Sequence, residues 1–382
     1  MPDDTAKERI LFLYLPTGGG HLAPARALAR RIEAVYGVDT RIECPVLSRV
    51  GLFIFKDGYQ AVSQVFPALW KVMYERNEKP WGMRLSRIIA GFFTLHGLRR
   101  VIAEYRPTKI VCVHHLMVRA LRIALKEYGR VPTVMVVTDP FEPHPIWAFN
   151  HFWPLACYSE DAAKTLVRYG VTRDRISVHS LIVNESFERP VGREELDAFK
   201  AELGLRVGKP MVLIAGGADG MKRAEAMTLE LLQSRLDFDL AVVCGRDPVL
   251  KLKVETVVAA HRLVPSSKKK TAVLGFTDRM PLLMRAADAI ASKAGASVVA
   301  EILRVGKPNI VAYMIPGQEK GNVDFVVSHG LGLYCRTPKS LRLGVERILG
   351  DDAYRKRIEA NIASLHFRNG LDSICKSIME LE

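Results

Sequence analysis

A chain of 382 residues is too long for one ordinary core and suits two domains. With 49% hydrophobic and 25% charged residues it has the balance of a folded protein, which excludes disorder and fibrous repeats. The net charge of +14 calls for polyanionic partners, either nucleic acid or an anionic bilayer face.

In chain order, the apolar residues 9–15 predict a strand buried on both faces, followed by Thr17-Gly-Gly-Gly-His21 and a helix over 22–36. Further strands are expected at 40–44, 109–113, 133–137 and 175–179. Residues 52–104 break the alternation with a long, aromatic and basic helical insertion. Residues 51–130 hold 14 Lys and Arg against 5 Asp and Glu, so much of the excess charge lies here. The longest apolar run, residues 88–95, falls well short of the roughly 18 residues of a spanning helix. The start of the chain lacks the pattern of a secretory signal, and a cytoplasmic protein is expected. Six singly placed cysteines read as buried thiols. After a polar stretch at 184–190, strands follow at 211–214, 239–244, 271–274, 287–291 and 309–312. Repeated strand–helix units imply parallel sheets with ligands beyond the carboxyl ends of the strands. The boundaries expected are 1–184 for the first domain and 185–382 for the second, with the last helix free to pack back on the first.

The motifs therefore lie after strands. Gly18, Gly19 and Gly20 let backbone approach a ligand at a helix start, although a tight strand–helix turn accounts for the same glycines. The spacing is neither a dinucleotide fingerprint nor a P-loop. His21 at that helix start is a candidate general base. Ala215-Gly-Gly-Ala-Asp-Gly220 repeats the device in the second half. Lys293-Ala-Gly-Ala-Ser297 opens a helix whose amides could hold a diphosphate, and Glu301 one turn on could accept both hydroxyls of a ribose. Ile315-Pro-Gly-Gln-Glu-Lys-Gly-Asn322 gathers the amides and carboxylates that sugar hydroxyls need. Asp237-Phe-Asp239 has the form of a metal-binding pair but sits at the amino end of a strand. His114-His115 is not expected to bind metal, because neighbours in a strand point to opposite faces.

These residues, with Tyr59, Pro67-Ala-Leu-Trp-Lys-Val-Met-Tyr74, Val137-Thr-Asp139, His144-Pro-Ile-Trp147 and Gly275-Phe276, resemble the monogalactosyldiacylglycerol synthase and processive diacylglycerol glucosyltransferase family. That family is related to the peptidoglycan lipid-linked N-acetylglucosaminyltransferase. The resemblance implies an α/β GT-B fold, two doubly wound Rossmann-like domains facing a cleft. It implies a hexosyltransferase that moves a sugar from UDP-hexose to a membrane lipid, expected to be diacylglycerol, with inversion and without metal or cofactor. Gly217 would approach the diphosphate, and the backbone at Phe276 the base. Lys293, Gly295 and Ser297 would flank the phosphates, Glu301 would take the ribose, and Gln318, Glu319 and Asn322 would hold the hexose and neighbouring phosphate. His21 and Asp139 are both candidates for the base. Where the family usually has Pro-Gly-Thr after Lys-Ala-Gly, this chain has Ala296-Ser-Val298, so a side-chain bond to phosphate would come from Ser297.

The basic insertion then reads as a surface for anionic membrane, with Trp70, Trp81, Phe92, Phe93, Arg84 and Arg87 facing the bilayer. A helical subdomain with its own aromatic core is the plainer reading. The expected location is peripheral, on the inner face of the plasma membrane. Rival readings change the acceptor, replace transfer by epimerisation of a UDP-sugar, or leave a nucleotide-sugar sensor. No nucleic-acid module is recognisable, so nucleic acid is not an expected partner.

Overall fold

The computed structural model describes residues 8–382 apart from 18, 60, 218–219 and 265–267. It divides into two compact units. One takes in the chain up to Ile182 with Ile315–Gly321 and Asn369–Glu382, the other Val183–Met314 with Asn322–Arg368.

The first unit is built on a parallel sheet of β1 (Arg9–Leu13), β2 (Asp39–Glu43), β3 (Lys109–Cys112), β4 (Thr133–Val136), β5 (Leu155–Cys157) and β6 (Ile176–Val178). The spatial order is β2-β1-β3-β4-β5-β6. The apolar runs of β1, β3 and β4 are buried almost throughout, as strands covered on both faces must be. Chain order reverses at β1, whose neighbours are β2 on one side and β3 on the other. Such a reversal opens a crevice outside the carboxyl ends of the strands. β5 was not among the expected strands. The final helix, Leu371–Met379, also lies in this unit, where Asp372 pairs with Arg31 of the helix Gly19–Tyr36 at 2.6 Å.

The insertion between β2 and β3 is helical and ends in the long helix Pro80–Tyr105. Proline at its first position costs no hydrogen bond, and Arg106 in the left-handed region (φ 48°) stops it. One face of this helix buries Met83, Arg87, Ala90, Thr94, Leu98, Val101 and Ile102. The opposite face leaves Trp81, Leu85, Ile88, Ile89 and Phe92 exposed. Both stripes repeat at helical spacing, so the helix is apolar inside and outside. No helix among the described residues is long and apolar enough to cross a membrane.

The second unit repeats the plan with β7 (Met211–Ala215), β8 (Asp239–Val243), β9 (Thr271–Leu274), β10 (Ala289–Lys293), β11 (Asn309–Tyr313) and β12 (Gly332–Tyr334). These lie in the order β12-β11-β10-β7-β8-β9, all parallel. Here the reversal falls between β7 and β10. All six cysteines are free thiols, five of them buried.

Asp239 opens β8 at the amino edge of this sheet and is fully buried. Its carboxylate accepts the backbone N–H groups of Arg206 and Lys270 and the guanidinium of Arg206, while Asp237 pairs with Arg206 and Lys209. Hydrogen bonds from Arg206 and then Lys209 hold the Asp237 carboxyl down at about 2. The Asp-x-Asp pair thus fastens the loop before β7 to the sheet edge. Arg206→Met strips the buried carboxylate of its cation and should cost on the order of 3 kcal/mol in urea unfolding of this unit. Arg189→Met, which breaks an exposed pair with Glu195, should cost less than about 1 kcal/mol. Equal midpoints for the two variants would contradict a structural role for the pair.

Candidate active site

In the first unit, three adjacent strand ends meet around His21. The helix Gly19–Tyr36 follows β1 directly and sets His21 in its first turn, where the ring is only 8% exposed. His21 Nδ1 lies 2.8 Å from the carbonyl of Val113, the residue after β3, and 2.9 Å from Thr138 Oγ1, just beyond β4. A carbonyl only accepts, so Nδ1 carries the proton and Nε2 keeps its lone pair. Burial lowers the imidazole pKa to about 4, against the opposing bond to Val113, and the ring is neutral at physiological pH. Gly18 lies outside the described residues; Gly19 and Gly20 form the start of the helix.

Beside His21 stands His114, ring centroids 4.4 Å apart, with its Nε2 2.9 Å from Thr17 Oγ1. His114 and His115 do not point to opposite faces as expected. The strand ends at Cys112, a turn follows, and the two rings lie 4.7 Å apart. Burial pushes both well below the ordinary histidine pKa. Among the described residues no group of three or more His, Cys, Asp or Glu is placed to hold a metal ion.

Asp139 follows β4 and Thr138. Its Oδ2 accepts from the indole Nε1 of Trp147 at 2.7 Å and from the backbone N–H of His144 at 3.2 Å. Burial raises its pKa, and these two bonds pull the other way. His144 caps the turn Pro145–Trp147 by accepting the Ile146 N–H on Nδ1, while Tyr74 packs edge-on against its ring. Thr138, His144 and Trp147 sit inside motifs that carried the resemblance, yet side chains that hold Asp139 could not be told from its neighbours by spacing.

The segment Ile315–Gly321 belongs to the first unit. Gln318 Oε1 accepts the Tyr59 hydroxyl at 2.8 Å, and Glu319 Oε2 accepts the Ile315 N–H at 2.7 Å. Gly317 has φ +80°, and a Cβ there would fall 2.6 Å from the Tyr74 ring, so glycine is required twice over. Tyr59 and Tyr74 thereby shape the polar segment from the insertion, a role their sequence positions did not suggest.

In the second unit the candidate residues flank the reversal between β7 and β10. Gly217 (φ +90°) follows β7, and Gly220 approaches so closely that a Cβ would meet the Cys244 carbonyl at 2.5 Å. Lys293 ends β10, and Gly295 precedes the helix Ala296–Val305 with no side-chain cap. The first-turn amides, Ser297 among them, have no helix partners and favour an anion. Asn322 Nδ2 donates to the Ala294 carbonyl at 2.7 Å and fixes this turn. Glu301 lies on the same helix, and burial raises its pKa to about 7. The exposed ring of Phe276 stacks under the Arg246 guanidinium at 4.3 Å, a residue with no sequence signal of its own.

Two of the six expected membrane-facing residues turn inward. Arg87 is buried, because it falls on the inner stripe of its helix, and Phe93 packs edge-on against buried Phe55 at 6.2 Å. Trp70 is half-buried between Tyr59 and Tyr74. Trp81, Arg84 and Phe92 remain exposed.

The family model for monogalactosyldiacylglycerol (MGDG) synthase matches residues 21–183, and that for the glycosyltransferase family 28 C-terminal domain matches residues 211–368. The monogalactosyldiacylglycerol synthase of Spinacia oleracea is 30% identical over 98% of this chain and 72% of its own length. The probable monogalactosyldiacylglycerol synthase 2 of Oryza sativa is 31% identical over 90% of this chain and 74% of its own. Among solved structures, MurG of Acinetobacter baumannii superposes with a TM-score of 0.66 at 14% identity, covering 98% of this chain and all of that one. The UDP-GlcNAc 2-epimerase of Neisseria meningitidis, solved with UDP-GlcNAc, gives 0.60 at 12% identity, covering 97% and 98%. These structural likenesses carry the GT-B fold, and the relationship to the plant synthases over nearly all of this chain carries the lineage: the chain belongs to the monogalactosyldiacylglycerol synthase family.

Proposed function

We propose that the protein transfers a hexose from a UDP-sugar to the free hydroxyl of diacylglycerol, with inversion at the anomeric carbon and without a metal. Its relatives' name makes galactose the first donor to test. The observation that carries the reading is His21, a neutral imidazole whose Nδ1 proton is committed to Val113 and whose Nε2 is left to act as base. The acceptor oxygen attacks the anomeric carbon, the bond to the diphosphate breaks, UDP leaves with the electron pair, and the hydroxyl proton passes to Nε2. Asp139 is the second proton-handling group, and its carboxylate stabilises the imidazolium and the positive charge that develops on the sugar.

On the donor side, the uncapped helix start at Gly295–Ser297, Gly217 and Lys293 would meet the diphosphate, with Phe276 near the base. Gln318, Glu319 and Asn322 would order the loop that meets hexose and phosphate. Glu301 would bind the ribose, which requires its carboxylate form.

The exposed stripe Trp81, Leu85, Ile88 and Phe92, with Arg84 beside it, would dock on an anionic bilayer and bring the site to its lipid. Phe92 is 82% exposed, an arrangement that folding alone does not reward. That surface and the basic insertion support peripheral attachment, which we place at the inner face of the plasma membrane.

The deciding experiment incubates the purified protein with vesicles of diacylglycerol and anionic lipid and, in turn, UDP-galactose, UDP-glucose and UDP-N-acetylglucosamine. One donor should give a glycolipid of inverted configuration in the presence of chelator. His21→Ala should lower kcat by roughly 100- to 10,000-fold. Donor hydrolysis without glycolipid would remove diacylglycerol as acceptor, and interconversion of free UDP-sugars would favour the epimerase reading.

Glu301 gives a pH test. With its pKa raised to about 7, UDP must displace a proton at lower pH. Affinity for UDP should be flat above pH about 7 and fall up to tenfold per unit below it, by calorimetry. The same raised pKa means that the stability enjoyed by the neutral acid is lost as pH rises from its ordinary 4.5 through about 7. Glu301→Gln should therefore raise the Tm of the free protein at alkaline pH while weakening UDP binding. A variant that binds UDP as well as the parent would remove Glu301 from the site.

Replacing Trp81 and Phe92 together by Ser should weaken sedimentation with anionic vesicles by at least about tenfold, with turnover of a short-chain, water-soluble acceptor unchanged. Undiminished vesicle binding would exclude this stripe as the docking surface.

A further inference from the structure

Arg87 is out of place by every ordinary rule of the fold. It occupies an interior position of the helix Pro80–Tyr105, in line with Met83, Ala90, Thr94 and Leu98, where an aliphatic side chain would fill the same space. It is 3% exposed, and among the described residues no carboxylate pairs with it. Its Nε is buried without a hydrogen-bond partner. A guanidinium taken out of water on these terms is costly, and its two remaining bonds are specific. Nη2 donates to the Ile146 carbonyl at 2.8 Å and Nη1 to the Phe149 carbonyl, while the cation stands over the Phe149 ring at 5.5 Å.

Those two carbonyls close the carboxyl end of the turn that holds Asp139. The turn runs from His144, with the Trp147 N–H on the His144 carbonyl and the Phe149 N–H on that of Pro145, and ends at Asn150 in the left-handed region (φ 46°). At the other end of the same turn, the His144 N–H and the Trp147 indole both donate to Asp139 Oδ2. Carbonyls at the end of a helical turn are left without partners and attract a cation. A planar fork reaching two carbonyls fixes orientation as well as position, which a single ammonium cannot do.

We propose that Arg87 is a positioning residue for the transfer reaction: by gripping the Ile146 and Phe149 carbonyls it holds Trp147, and through Trp147 the Asp139 carboxylate, in the working orientation. This rests on the proposed catalytic role of Asp139. The opposite face of the same helix carries the exposed Trp81, Leu85, Ile88 and Phe92, so the clamp on the carboxylate and the proposed lipid-facing surface are parts of one rigid element.

The test compares Arg87→Met, which keeps the bulk and removes both donors, with Arg87→Lys, which keeps the charge and can reach one carbonyl. Full-length protein is assayed on diacylglycerol vesicles with the donor it uses. In parallel, the Trp147 indole N–H is followed by proton–nitrogen NMR, its resonance identified with Trp147→Phe. Arg87→Met should lower kcat by roughly 10- to 100-fold with KM for the UDP-sugar within about twofold. It should also move the indole resonance in the direction that Asp139→Asn moves it, and Arg87→Lys should fall between Met and the parent in both readouts. A wild-type indole resonance in Arg87→Met, or a rise in KM with kcat unchanged, would overturn the proposal. Should Arg87→Met fail to fold, Arg87→Lys decides alone: parental kcat and resonance count against the clamp. Should Asp139→Asn keep full activity, the role of Asp139 falls, while the indole resonance of the Arg87 variants still reports whether Arg87 sets the bond.

Discussion

The bond from His21 Nδ1 to the Val113 carbonyl is the one on which the proposed chemistry of the first unit depends. It settles the tautomer, and the tautomer decides which nitrogen can accept a proton. The bond exists because β1 and β3 are neighbours in a parallel sheet, with Leu13 beside Cys112, so the residue after each strand emerges at the same edge. A slip of one residue would turn every side chain of β3 to the other face and move that carbonyl out of reach. Burial keeps the imidazole neutral, which preserves the lone pair at the expense of basicity. As the proposed base, a buried neutral His21 would need a nearby negative charge on taking up its proton, and Asp139 leaves the next strand over, β4, one residue after the Thr138 that also meets His21.

The second unit solves a different problem with the same topology. Its reversal lies between β7 and β10, and what gathers there is backbone: Gly217, Gly220 and the uncapped start of Ala296–Val305. Amides suit an anion that must be held and then released as a leaving group, since they carry no net charge to bind it irreversibly. The side chains nearby serve the backbone or await a ligand. Asn322 ties down Ala294, and burial raises the pKa of Glu301, the proposed ribose partner, to about 7. In the proposed reaction, side chains of the first unit would move the proton and main chain of the second would receive the phosphate.

Ten of the twelve strands could be read from the sequence to within a few residues, because strands buried on both faces are continuous apolar runs with turn residues after them. β5 and β12 were missed, although β6, equally short, was read. His21, Gly217 and Glu301 were picked out as candidates from their places after strands, and Asp139 from the family resemblance. What surrounds them was not. The Tyr59–Gln318 bond spans 259 residues, and that between His21 and Thr138 spans 117, distances at which spacing holds no information. The premise that His114 and His115 point to opposite faces failed because they lie beyond the end of β3, where strand alternation no longer applies.

The helix Pro80–Tyr105 shows most clearly why composition and pattern part company. Its aromatics and cations interleave along the chain, and a sequence reader assigns both to a surface. In the structure Trp81, Ile88 and Phe92 face outward, while Arg87 is a cation set among the apolar residues of the inner face. Each placement carries a free-energy cost that folding does not recover. The exposed stripe leaves apolar area in water, and the inward cation gives up hydration for two carbonyls and the face of Phe149. Costs of opposite kind on opposite faces of one helix point to demands other than stability. The proposed lipid-facing reaction would make both demands at once: the outer face would meet the acceptor's phase and the inner face would hold the turn that carries Asp139. A helix with Leu at 87 and Lys at 92 would satisfy the fold better and meet neither demand.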